Sequence, residues 1–578
     1  MAIFHTEPDC SPSTRCSLTG SRWIIAQPVE KLPGNIHPAI GQVLASRGIS
    51  TPAEVEAFLK ADLSSMHDAF LMSDMTTAVE TVLDALERKA HIRIFGDYDA
   101  DGITSTALLV RALTGLGGHI DWYLPHRIDD GYGLNTAALD KAKADGVELG
   151  ITVDNGISAH EQLAYAERIG LRMIVTDHHE PEGNVPPAIA VLNPKRADNV
   201  YPYRELAGVG VAFTLLRAIC AKRGIPLHAV ARFLDLVTLG TVADVAPLTG
   251  ENRVLVRYGL PSLTPSNKKI GIGALLRAIG VQQHATCTDV GYQIAPRLNA
   301  AGRVAHASDA LRLLLTTDQA EAEALAAKLC EHNTTRQEEE GHTLEEALAM
   351  VDELDLSREK VIVLASPNWH PGVIGIVASR LVERFHRPAA MIAIQDGVGK
   401  GSARARAPFH LWEALQASSH LLNRFGGHRV AAGFEVAEEN IPALRESLCA
   451  IAERTLTDDD LLPLVEIDAW IDLADVTTGF AHDIEALSPF GMGNPTPVFA
   501  AADVLVHQCC RRGQDGNHFS LSLRTSPGGR PISAIWFRHG EDGECIRPGD
   551  RIDIAFTVGL NCWQGITTAQ LVVKDIMK

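Results

Sequence analysis

The sequence predicts two α/β domains joined by long helices and followed by a small C-terminal β-barrel of the OB type. Three observations lead there. Strand-like and helix-like segments alternate from about 80 to 260, the pattern of βαβ units in a mostly parallel sheet. A stretch at about 305 to 355 is rich in alanine, leucine and glutamate with almost no glycine, and reads as one or two long helices. From about 465 the texture changes to short strands with turn signals. With 578 residues the chain exceeds what one core supports. The expected organisation is an extension at 1–75, an α/β domain at 76–260, a helical connector at 261–355, a second α/β domain at 356–460 and a nucleic-acid-binding barrel at 465–578.

In the first domain the strand-like runs are HIRIFGD (91–97), HIDWYLP (119–125), ELGITVD (148–154), LRMIVTD (171–177) and AIAVLNP (188–194). The intervening segments, such as SAHEQLAYAERIG, place apolar residues three and four apart and end on glycine, as helices finish. In the connector, the acidic run Glu338 to Glu340 reads as a solvated helix face. Next, REKVIVLASP and PAAMIAIQDG flank GVIGIVASRLVERF, a helix between buried strands. Five short strand-like pieces then close the chain, which suits an OB barrel, with a β-sandwich as the alternative.

Composition narrows the class. No apolar stretch approaches the roughly 20 residues of a membrane span, and the start MAIFHTEPDCSPSTRC lacks a signal-peptide pattern, so a cytoplasmic location without membrane contact is expected. Ten cysteines without CxxC pairing read as reduced thiols, not as a zinc site or disulfide frame. The net charge of -19 argues weakly against a nucleic-acid partner, because bound metal ions can supply positive charge locally.

The segment GDYDADG (96–102) puts Asp97, Asp99 and Asp101 at alternate positions. Carboxylates about 5 Å apart repel by about 3 kcal/mol at an effective dielectric near 20, so a cation is implied. An EF-hand loop begins the same way but requires a glutamate at its twelfth position, which here is Leu108, and it is entered from a helix and not from a strand. Two further clusters end strands: Asp154 in VDNG, and Asp177, His178 and His179 in VTDHH. Ligands of open α/β sheets bind beyond the carboxyl ends of the strands, so these segments converge. Asp244, in LGTVADVAPL, ends an apolar helix-like run and is not expected to be buried without a partner. Such a set suits two divalent cations, Mn2+ or Mg2+, and paired metals of this kind bind a phosphoryl group and activate water.

In this order, GDYDADG, VDNG, DHH and GTVADVAPL resemble the four motifs of the DHH phosphoesterase superfamily. GSARA (401–405) and FGGHRVAAGF (425–434) resemble its associated second domain. YLPHRIDDGYGL, QIAPRLNAAGRV, HPGVIGIVASRL and PFGMGNPTPVF are similar to the bacterial members that degrade single-stranded DNA from the 5' end. The resemblance implies metal ligands at Asp99, Asp101, Asp154, His178 and Asp244, with Asp154 bridging, and places His179 at the scissile phosphate as a positioning or acid group. Asp154, His179, Asp99 and Asp101 form the implied catalytic set. Many relatives carry a histidine where this chain has Phe95, and Asp97 is the candidate replacement ligand. Arg127, Arg303, Arg380, Ser402, Arg404 and His428 occupy motifs implied to contact the DNA backbone or the 5'-phosphate, with the FGGH glycines admitting backbone amides to an anion. In the barrel, Phe519, Trp536 and Trp563 are candidates for base stacking or for core.

The resemblance therefore implies a 5'-to-3' exonuclease for single-stranded DNA in repair and recombination, releasing 5'-mononucleotides. It also implies a monomer that works with single-strand-binding protein and a RecQ-type helicase. A phosphodiesterase for short oligonucleotides or cyclic dinucleotides is the alternative, since such enzymes make do with the two α/β domains. A catalytically inactive replication scaffold would be expected to have lost ligands that this chain keeps.

Overall fold

The computed structural model describes residues 16–29, 36–126, 133–181 and 183–578. Five parallel strands make the first sheet, in spatial order His119–Tyr123, His91–Phe95, Leu149–Val153, Arg172–Thr176 and Ala190–Leu192. Helices on both faces explain why strands such as Leu149–Val153 are apolar and fully buried instead of alternating. After the outer strand His119–Tyr123, the chain returns to the opposite side of His91–Phe95. The topological switch thus lies between His91–Phe95 and Leu149–Val153, whose register sets Phe95 opposite Thr152. Their carboxyl ends finish level, and GDYDADG and VDNG emerge side by side at the crevice.

The connector contains the helices Ile270–Ala278, Ala295–Val304 and Ser308–Leu315, then a 34-residue helix, Gln319–Asp352, about 51 Å long. Its acidic run is only partly a solvated face. Glu338 and Glu339 are exposed, but Glu340 is buried between the arginines of two helices: Arg336 Nη1 donates to it at 2.6 Å and Arg380 Nε at 3.3 Å. The second sheet is mixed, in order Leu422–Gly427, Ala431–Ala437, Val398–Arg404, Ala389–Gln395 and Ile362–Ser366. Only the last pair runs parallel, around the helix Ile374–Phe385.

Near the C-terminus, Phe499–Arg512, His518–Arg524, Ile532–Trp536, Ile566–Met577 and Arg551–Trp563 pair in that order, and Phe499–Arg512 also pairs with Arg551–Trp563. That last ladder closes a five-stranded barrel, so the sandwich alternative falls. Phe519 and Trp536 are 4 % and 1 % exposed and fill the barrel core, which removes them as stacking platforms. Trp563, at the tip of the last hairpin, is 70 % exposed.

The early part of the chain belongs physically to this module. Strand Arg22–Ile25 runs parallel to Leu464–Ile467, and the Trp23 indole donates to Asp575 at 2.7 Å. Val43, Leu44 and Val55, from the helices Pro38–Ser46 and Pro52–Lys60, pack in one apolar cluster with Phe499 and Trp536.

Candidate metal centre and its cleft

Local folding rules build the acidic nest. Asp99 is the N-cap of the helix Ala100–Gly115: its Oδ1 accepts from the amides of Asp101 and Gly102, both at 3.0 Å. Asp101 sits in the first turn of that helix and caps a second one from a distance. Its two oxygens accept from Gly208 N at 2.7 Å and Val209 N at 2.9 Å, where the helix Gly208–Lys222 starts without a side-chain cap of its own. Asp154 adopts φ +61°, a left-handed conformation that aspartate tolerates better than most residues. Asn155 then ties the two strand ends together, donating to Phe95 O at 3.2 Å and Val153 O at 2.9 Å.

Three donor sets result, each with ligand atoms within 4.8 Å of one another: Asp97, Asp99 and Asp154; Asp154, His178 and His179; and Asp101, His178 and Asp244. Asp154 joins the first two, and His178 the last two. His178 Nε2 lies 3.1 Å from Asp154 Oδ1, and its Nδ1 lies 3.9 Å from Asp244 Oδ2. Asp177 is buried behind them as an orienting group. It accepts from Ile157 N at 2.9 Å, His178 N at 2.7 Å and His179 Nδ1 at 2.8 Å. Phe95 does not face this nest; its ring is buried in the apolar cluster of Leu139, Leu163 and Met173, and Asp97 stands within reach of the ligand set instead.

The electrostatics suit cations. Burial, reinforced by Asp99, pushes the Asp101 carboxyl up to about 7 in spite of its two amide bonds. Burial and then the neighbouring carboxylates raise Asp154 and Asp244 well above the usual range. Burial, with the His179 ring beside it, pulls His178 down to about 3, which leaves it a neutral ligand. Burial also works against ionised Asp177 and protonated His179, but their mutual bond prevails and holds them at about 2 and about 9. Oxygen and imidazole donors with no thiolate fit Mn2+ or Mg2+, and the concentrated negative charge is what such ions relieve.

A cleft of about 330 Å³ opens beside the nest, lined by Asp97, Tyr98, Asp99, Ala243, Asp244, Asn299 and Arg303. Its far wall is the connector helix Ala295–Val304, where Asn299 Oδ1 accepts from Ala100 N at 2.7 Å. Close docking requires Gly302, because a Cβ there would lie 2.6 Å from the Tyr98 carbonyl oxygen.

Family models match three segments: "DHH family, N-terminal domain" over 91–241, "DHHA1 domain" over 358–454 and "RecJ OB domain" over 467–575. The single-stranded-DNA-specific exonuclease RecJ of Bacillus subtilis is 38% identical over 563 residues, 96% of this chain and 70% of the relative. The Escherichia coli protein of the same name is 35% identical over 567 residues, 94% and 96% of the two chains. The chain belongs to the RecJ family. The crystal structure of RecJ in complex with Mn2+ from Thermus thermophilus superposes with a TM-score of 0.82 at 32% identity, covering 96% of this chain and 80% of that one. Another, exonuclease RecJ bound to manganese, gives 0.59 at 40% identity over 67% of this chain and 96% of that one.

Of the residues that the RecJ resemblance implies for substrate, the structure brings three to one place. Arg303 Nη1 donates to the Gly372 carbonyl at 2.8 Å, bridging connector and second α/β domain. Two residues on, the helix Ile374–Phe385 begins without a side-chain cap; a Cβ on Gly375 would lie 2.8 Å from Ser402 Oγ and 3.1 Å from Arg404 Nη2. A helix N-terminus, a hydroxyl and a guanidinium thus meet beside Arg303. Arg380 points elsewhere, to Glu340 and Glu383. His428 is exposed on a hairpin turn, and its amide is engaged by the Ala431 carbonyl at 2.8 Å, so it is not free for an anion. Arg127 lies outside the described residues. Residue-type reasoning missed Asn299, although it lies in a motif that carried the resemblance, and the amides of Gly208 and Val209, which leave no side-chain signal.

Proposed function

We infer that the chain is a metal-dependent exodeoxyribonuclease that hydrolyses single-stranded DNA from the 5' end and releases 5'-mononucleotides, in DNA repair and recombination. The observation that carries the reading is Asp154 shared by two donor sets beside a cleft whose opposite wall holds Arg303. Asp97, Asp99, Asp101, Asp154, His178 and Asp244 would hold two ions, Mn2+ or Mg2+. When bound, such ions supply Lewis acidity at the phosphoryl oxygens and water of lowered pKa.

The chain's own residues do the rest. Asp177 fixes His179 by accepting from Nδ1, and the resulting imidazolium is suited to pair with the scissile phosphate or to protonate the leaving oxygen. Arg303, Ser402 and Arg404 would take the 5'-phosphate, and the capless start of the helix Ile374–Phe385 would add favourable backbone dipoles. Asp99 and Asp101 are fixed by helix caps, so the nest is held in place before substrate arrives.

The test is digestion of a long single strand labelled at either end, with Mn2+ or Mg2+. Labelled mononucleotide is expected early from the 5'-labelled strand and late from the 3'-labelled one. A preference for a dinucleotide offered beside it would favour the short-oligonucleotide phosphodiesterase. With this reading go a monomeric, cytoplasmic enzyme and partnership with single-strand-binding protein and a RecQ-type helicase, supported by family membership. No helix among the described residues is long and apolar enough to cross a membrane.

A further inference from the structure

The helix Leu234–Ala243 ends in a Schellman motif: Val245 N donates to Val242 O and Ala246 N to Thr241 O, each at 3.2 Å. The residue after the cap of such a motif takes a left-handed backbone, normally supplied by glycine. Elsewhere in this domain the same position after a helix is Gly117, Gly146, Gly170 and Gly224, and once the unbranched Lys89, all at positive φ. Here the position is Val245, at φ +59°. A β-branched residue is strained there, because its side chain crowds the following carbonyl. Packing gives no reason for the choice, since Val245 is 58 % exposed.

The location gives one. Val245 follows Asp244, which lines the metal cleft. The next residues are pinned from the other side by the loop that leads into the barrel: Leu248 N donates to Met492 O at 2.7 Å, and Met492 is itself 56 % exposed. The strained turn therefore holds an isopropyl group in solvent one residue after Asp244, whose cleft is lined by carboxylates, Asn299 and Arg303, groups that suit phosphate and ions, not bases.

We propose that Val245 is a substrate contact: its isopropyl group packs against the base of the terminal nucleotide whose phosphate enters the cleft. The proposal rests on the nuclease reading above. Strain at an exposed, functional turn is retained because a side chain is needed that glycine cannot offer.

The experiment compares wild type, Val245→Gly, Val245→Ala and Val245→Ile on 5'-phosphorylated single strands whose terminal nucleotide is either normal or abasic. Melting temperature and the midpoint of Mn2+ stabilisation are followed alongside. Val245→Gly is expected to melt no lower than wild type, to keep the Mn2+ midpoint, and to raise KM about tenfold with little change in kcat. Val245→Ala is expected to follow it and Val245→Ile to resemble wild type. On the abasic strand the KM ratio of Val245→Gly to wild type is expected to fall to about one. An unchanged KM in Val245→Gly or Val245→Ala overturns the proposal. So does a shifted Mn2+ midpoint, which would mean action through Asp244, or a KM ratio that persists on the abasic strand. A wild-type protein inert on every strand would instead remove the nuclease reading itself.

Discussion

Asp154 carries the largest conflict between stability and function in the chain. Its carboxyl is buried among four others and is raised well above the ordinary range, so the ion-free fold disfavours the ionised form that the unfolded chain solvates freely at neutral pH. Replacing Asp154 with Asn should lower nuclease activity by about a thousandfold or more while the ion-free protein melts higher than wild type. Product release and calorimetry on the same sample read both outcomes, and retained activity would remove Asp154 from the ion-binding set. Phe95 poses the opposite case. Because its ring is 1 % exposed in an apolar cluster, Phe95→His should not create a ligand. It should cost about 2–4 kcal/mol in urea unfolding and leave Mn2+ affinity no higher.

At the scale of elements, the barrel separates two kinds of aromatic that look alike in sequence. Trp536→Ala or Phe519→Ala should destabilise the barrel by about 3–5 kcal/mol, because each empties a core site. Trp563→Ala, at an exposed hairpin tip, should leave thermal stability within error and weaken binding of long single strands, as read by fluorescence anisotropy. Alternation cannot tell these residues apart, since which face of a strand points inward depends on closure by the Phe499–Arg512 and Arg551–Trp563 ladder. The first sheet was far more legible. Its three central strands, His91–Phe95, Leu149–Val153 and Arg172–Thr176, each run into an acid or the DHH cluster, and level parallel register does the rest. What stayed hidden came from afar and from backbone: Gly208 N reaches Asp101 across 107 residues, and Asn299 reaches Ala100 N across 199. The buried Glu340 was hidden too, because one of its two arginine partners, Arg380, comes from another helix.

For the whole molecule, ion binding and stability are one equilibrium. In the ion-free chain Asp101 titrates at about 7, above its unfolded value of about 4. A raised carboxyl contributes stability below the unfolded value and loses it as pH climbs through the folded one, so ion-free protein should weaken between about pH 4 and 7. Mn2+ relieves the same repulsion. The rise in melting temperature on adding Mn2+ should therefore be larger at pH 7.5 than at pH 5.5, and EDTA should reverse it. Equal shifts at both pH values would mean that the ion binds outside the carboxylate nest.

Pairing between the two ends of the chain also sets a timetable for synthesis. The apolar faces of Pro38–Ser46 and Pro52–Lys60 are covered by the barrel, whose first strand starts at Phe499. At about 5–20 residues per second a ribosome needs roughly half a minute to a minute and a half to bridge that gap. Throughout that interval the nascent chain displays Val43 and Leu44 unburied, and a holdase that recognises short apolar helices would meet them before the barrel does.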